Sequence, residues 1–140
     1  MPTNSTLSGA QLVQLAADFS SLADQARDIL TNPDLNFSAN VSNALSSDMS
    51  TLSNIAANLA MWGAKIVFAD SDSAFQTISS STQAANAAVT KLQNDVKKIN
   101  SVVTILGDAV SLGVSFGTGN WVSVVSAATS LGSAISSAGS

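Results

Sequence analysis

The sequence predicts an all-α fold: an elongated antiparallel helical bundle of about four helices. Three observations carry this. Apolar residues recur at three- and four-residue steps along most of the chain, no stretch alternates apolar and polar residues as a half-buried strand does, and capping residues stand where the periodic stretches begin. No Pro-, Gly- or charge-rich linker divides the 140 residues, so one domain, 1–140, is expected.

The first helix is expected over 9–31. Ser8 and Gln11 have capping-box spacing, and Leu12, Leu15, Phe19, Leu22, Ala26 and Ile29 form one apolar face. Pro33 ends the helix, because it lacks an N–H and pushes Asn32 away from helical geometry. A second helix over 37–69 is capped by Asn36 or Ser38. Its face runs through Val41, Leu45, Met49, Leu52, Ile55, Leu59 and Ile66, and Trp62 reads as core. Asp70-Ser-Asp72-Ser73 reads as a turn that caps the next helix. A calcium loop would need Asp or Asn at 74, Gly at 75 and Glu at 81, where the chain has Ala74, Phe75 and Ser81.

The third helix is expected over 74–116. Phe75, Ile78, Thr82, Ala85, Val89, Leu92, Val96, Ile99, Val103, Leu106 and Val110 step 3-4-3-4, with Ile78, Val89, Leu92, Val96, Ile99 and Val103 as the coiled-coil seam. Such a rod would be about 64 Å long and would need partners along its length. The glycines of Gly113–Asn120 turn the chain, and Asn120 caps a last helix over 121–137.

The flanks of the third helix change along its length. Before Asn100 they are mostly Ser, Thr, Gln, Asn, Lys and Asp. Beyond it Val102, Ile105, Ala109, Leu112, Val114 and Phe116 widen the apolar stripe to most of the circumference, and Asp108 is the one charged residue in the last 40. A helix apolar nearly all round is buried in protein or in lipid. Residues 102–135 thus read as an uncharged helical hairpin with arms of about 22 Å, short of a ~30 Å hydrocarbon core. Its candidate membrane or partner contacts are Val102, Ile105, Leu106, Val110, Leu112, Val114, Phe116, Trp121, Val122 and Val125. Asp108 is a candidate pH-sensitive group, with plain solubilisation as the simpler reading. Gly113-x-x-x-Gly117 permits close backbone approach of a neighbouring helix.

Composition narrows the function. Charged residues are 10% of the chain, 5 basic and 9 acidic, while Ser, Thr, Asn and Ala number 25, 10, 11 and 22. Cys and His are absent, which removes thiol and imidazole chemistry and the usual zinc ligands. No Ser-centred triad or nucleophile elbow is present, and Gly117-Thr-Gly119 lacks the strand and lysine of a phosphate loop. The expectation is a non-enzyme with no cofactor, no metal and no small-molecule substrate. Five basic residues on a net charge of −4 argue against nucleic acid. Lys91, Lys97 and Lys98 with Asp95 form a charge cluster read as a solvated face, with anionic headgroups as the alternative. The first residues lack the basic and apolar regions of a signal peptide, so the expected location is the cytoplasm or outside the cell without a cleavable signal.

The stretch Lys97–Gly113 followed by Gly117-Thr-Gly-Asn resembles the apolar insertion segment of α-helical pore-forming toxins of the haemolysin BL and cytolysin A group. The resemblance implies a helical tail bundle and a hydrophobic head, matched by 102–116 and 121–135, that inserts after a conformational change. Two functions are therefore expected: association with a lipid membrane or pore assembly through the hairpin, or self-assembly of further copies into a filament, shell or inclusion through the same face. A partner protein and a coat on lipid or polymer granules are further readings.

Overall fold

The computed structural model describes residues 6–32, 38–68, 70–92 and 96–138. Among them it is all-helical, with five α-helices packed as a bundle: α1 Gly9–Leu30, α2 Ala39–Gly63, α3 Ser71–Leu92, α4 Ile99–Thr118 and α5 Trp121–Ala138. The capping box at the start of α1 is formed: Gln11 N donates to Ser8 Oγ at 3.1 Å and Ser8 N donates to Gln11 Oε1 at 2.9 Å. Ser38 caps α2, its Oγ accepting from Val41 N at 3.2 Å, while Asn36 lies outside the described residues. The Asp70 carboxylate accepts from Ser73 N at 3.1 Å at the head of α3.

Two expected boundaries are corrected. α2 stops at Gly63 instead of 69, and the following chain turns so that Ile66 and Phe68 enter the core, both fully buried. The single rod over 74–116 does not form. It is two helices, α3 and α4, with a 3-10 turn over Val96–Lys98 leading into the second. The continuous seam is lost with it: Ile78 and Val89 are buried on α3, Leu92 is half-buried at its end, and Ile99 and Val103 belong to α4. The side chain of Val96 lies outside what is described. The physical reason is burial. As one rod, the wide apolar surface beyond Asn100 would run out past its partners. Turned back, α4 packs against all four other helices.

Contacts along the helices fix their directions. Leu12 meets Gly63, and Ala23 and Arg27 meet Met49 and Asn54, so α1 and α2 are antiparallel. Gln11 bonds Asp72, and Gln25 bonds Asn86, so α1 and α3 run the same way. Ile55 meets Gly113 and Trp62 meets Gly117, so α2 and α4 do too. Gly119, at φ 74°, turns α4 into α5, and Asn120 caps α5 by accepting from Val122 N at 2.9 Å. The order around the bundle is α1, α2, α4, α5, α3, with α4 also reaching α1 and α3. One end therefore gathers the starts of α1, α3 and α5 and the ends of α2 and α4.

The two glycines of Gly113-x-x-x-Gly117 receive α2, not α5. A Cβ on Gly113 would lie 2.6 Å from Ile55 Cγ2 and 2.9 Å from Cγ1, and closer still to Cδ1. Ile55 is a branched, fully buried side chain without room to retreat. Gly113→Ala is therefore expected to destabilise the fold by about 1–3 kcal/mol in urea unfolding, despite the better helix propensity of alanine. In an Ile55→Ala background the same substitution should cost little. Equal losses in both backgrounds would show that the α2–α4 contact does not depend on this fit.

Candidate functional site

The candidate contact residues of the hairpin separate into two groups. Val102, Ile105, Leu106, Leu112 and Phe116 are core side chains, at most 1% exposed. They face inward because α4 is the helix every other helix touches. Val110 and Val125 are half-buried against that core. Val114, Trp121 and Val122 are exposed, at 50%, 38% and 55%. All three stand beside the Gly119 turn, at the end of α4 and the start of α5.

They are not isolated. Val13, Met61 and Val67 complete the set of large exposed apolar side chains among the described residues. Val13 is in the second turn of α1, Met61 is two residues from the end of α2, and Val67 is in the connection to α3. By the helix directions all six lie at one end of the bundle. The periodicity could not find Met61, Val13 and Val67, because a residue off the apolar stripe looks solvent-facing wherever it stands. Only the antiparallel arrangement brings the three to the same end as Trp121.

Four hydroxyls of α4 bond within their own helix. Thr104 Oγ1 donates to Asn100 O at 3.0 Å, Ser111 Oγ to Gly107 O at 3.2 Å and Thr118 Oγ1 to Ser115 O at 2.6 Å, and Ser115 Oγ donates to Leu112 O. Each hydroxyl returns to a carbonyl of its own helix three or four residues back, which removes its demand for water. α4 is also the one helix, among the described residues, long and apolar enough to cross a membrane, with half of that window buried inside the bundle.

The buried polar chemistry lies elsewhere, between α1 and α3. Asp18, 9% exposed, accepts from Thr82 Oγ1 at 3.0 Å and from Gln14 Nε2 at 3.3 Å. Asn86 Nδ2 donates to Asp18 O at 3.1 Å, Gln25 Nε2 to Asn86 Oδ1 at 2.9 Å, and Thr90 Oγ1 to Gln25 Oε1 at 2.8 Å. Desolvation pushes the Asp18 carboxyl above its ordinary value, and the two side-chain hydrogen bonds oppose that only in part. Burial also raises Asp48. Asp108, the expected pH-sensitive position, is half-buried in the middle of α4.

Elsewhere the surface offers little for chemistry. An open groove of about 330 Å³ between α1 and α2 is lined by Asp24, Arg27, Met49 and Asn54, and its acid and base pair with each other at 3.5 Å. No group of three or more His, Cys, Asp or Glu side chains comes together among the described residues. Comparisons with protein families, with curated proteins and with solved structures find no match to the chain.

The raised carboxyls have a measurable consequence. In the folded state they bind protons at a pH where the unfolded chain has lost them, so stability falls as pH rises from about 4 through the raised values. The urea midpoint is expected to increase on mild acidification from neutral pH toward that range. Asp18→Asn, which keeps an acceptor for Thr82, should flatten the rise and leave stability at pH 7 no lower than wild type. A variant clearly weaker at pH 7 would show that the charge itself holds α1 to α3.

Proposed function

We propose that this chain is a non-enzymatic helical protein that associates with lipid membranes through the end of the bundle bearing Val114, Trp121 and Val122. The observation that carries the reading is that the six large exposed apolar side chains among the described residues gather at that end. Scattered exposed apolar residues are ordinary, whereas their concentration in one region marks an interaction surface. Trp121, 38% exposed at the start of α5, has the amphipathic ring suited to the headgroup level. The hydroxyls of α4 that bond within their own helix meet the requirement lipid imposes on any polar group.

Self-assembly of further copies is the competing reading, and size weighs against it for this surface. Five helices of about 10 Å diameter end in a face on the order of 400 Å². Two copies meeting there would bury roughly 800 Å² in total, below the ~1,200 Å² at which stable interfaces begin. A lipid surface needs no complementary patch of matching shape, and binding to it scales with the apolar area buried.

Liposome flotation of the purified protein, with Trp fluorescence read on the same samples, tests the proposal. A Trp62→Phe background leaves Trp121 as the reporter, and its emission is expected to shift to the blue on vesicle binding. Val122→Asp and Val114→Asp should lower binding by about an order of magnitude or more with helicity unchanged, because both positions are exposed. Leu112→Asp is not a usable probe, since Leu112 is core and its loss would unfold the bundle. A protein that floats equally well with aspartate at both exposed positions would remove this end from the membrane contact. Large scattering species without lipid, dispersed by the same two substitutions, would favour self-assembly.

A further inference from the structure

The bundle distributes its basic residues as unevenly as its large exposed apolar groups. Among the described residues, the end with Trp121 and Val122 carries Lys65, Asp70 and Asp72. Both of these acids are engaged locally, Asp70 at the cap of α3 and Asp72 with Gln11 Nε2 at 3.2 Å. The other four basic residues, Arg27, Lys91, Lys97 and Lys98, stand at the opposite end, Arg27 in the last turn of α1, Lys91 in the last turn of α3 and the other two before α4, together with Asp24, which pairs with Arg27, and Asp28. α3 has 22 residues, which sets the two ends about 33 Å apart. That is several times the ~8 Å over which a charge is felt at physiological ionic strength.

We infer that the bundle stands end-on upon an electrically neutral lipid surface, of phosphatidylcholine type, with the end that holds four of its five basic residues kept away from the membrane. The inference rests on the membrane reading proposed above and adds the lipid chemistry and the orientation. Surface-bound helical segments that recruit anionic lipid place Lys and Arg beside the apolar anchor, where each contributes attraction. Here one lysine and two aspartates stand beside the anchor, so an anionic headgroup layer meets slightly more repulsion than attraction. Docking along the side of the bundle would bring Lys91, Lys97 and Lys98 to the headgroups, but would turn Trp121 and Val122 away from them.

The experiment is flotation of the full chain with vesicles of pure phosphatidylcholine and with vesicles containing one third phosphatidylserine, each at low and at half-molar salt. Binding to the two compositions is expected to agree within about twofold at both salt concentrations. The combined variant Lys91→Gln, Lys97→Gln and Lys98→Gln, checked for helicity by circular dichroism, should bind as wild type does. Binding roughly tenfold tighter to the anionic vesicles, reduced by salt and by the triple substitution, would overturn the inference while leaving membrane association in place. No flotation with either vesicle would overturn the membrane reading itself, and the inference with it.

Discussion

Covering α4 is the constraint on which the remaining structure depends. A helix whose apolar residues occupy most of its circumference cannot be satisfied by one neighbour. It needs partners on several sides, and the chain supplies them by surrounding α4 with α1, α2, α3 and α5. This explains why the heptad pattern does not become a single rod. A straight continuation of α3 would share one seam with its partners, whereas turning α4 back against α3 removes Ile105, Leu106, Ala109 and Leu112 from water together. The close seat of Ile55 on Gly113 follows, because α2 must approach the α4 backbone to cover the side that α5 does not.

Apolar burial gives α4 its place but little register, since it is proportional to area and indifferent to direction. Direction comes from the polar seam between α1 and α3. Gln11 with Asp72, Asp18 with Thr82, and Gln25 with Asn86 and Thr90 recur along both helices and match only in one alignment. A one-residue slip would leave the buried Asp18 carboxylate and the half-buried amides of Gln25 and Asn86 without partners. Ser81 Oγ donating to Ala128 O at 2.8 Å makes the corresponding tie between α3 and α5. The chain, poor in charge and rich in Ser, Thr and Asn, thus ties its helices with amide and hydroxyl donors, two of them on carboxylates, where other bundles use salt bridges. The ion pair between Arg27 and Asp24 is exposed and local to α1.

How much of this was legible depended on which physical signal each feature leaves. Helical class, the α1 capping box and the Gly119 turn are local, and local chemistry specifies them: a hydroxyl three residues before an amide, or a glycine where φ must be positive. The division of the third helix was not read, because the 3-4-3-4 spacing continues across it. The signal was present in Gln93-Asn94-Asp95, two of which have side chains that compete with the helix for backbone hydrogen bonds, but periodicity outweighed it. Asp18 was legible in principle. It falls three residues after Leu15 and four before Leu22, on the apolar stripe, where a carboxyl must either find partners or disrupt the face. Sequence could show that the stretch from Val102 to Val125 carries a single charge, Asp108, but not which of its apolar residues the bundle consumes. That depends on which helices surround α4, a tertiary fact with no local trace.

On the membrane reading proposed above, the distinction between consumed and exposed residues bears on how an apolar hairpin can reach lipid. Bringing Val102, Ile105, Leu106, Leu112 and Phe116 into water would cost on the order of 10 kcal/mol, at 1.5–3 kcal/mol for each buried side chain. That equals the whole stability of an ordinary domain, so the hairpin cannot search for a membrane in an open form. Val114, Trp121 and Val122 need no opening, because they are exposed in the closed bundle and adjoin the same turn. Contact with lipid can therefore begin at the tip of the hairpin while α4 remains covered. Any deeper entry would exchange burial in protein for burial in lipid at that tip, and would be limited by Asp108 in the middle of α4, whose carboxylate is costly in hydrocarbon. The hydroxyls of Thr104, Ser111 and Thr118 already bond within α4 and would lose nothing in the exchange.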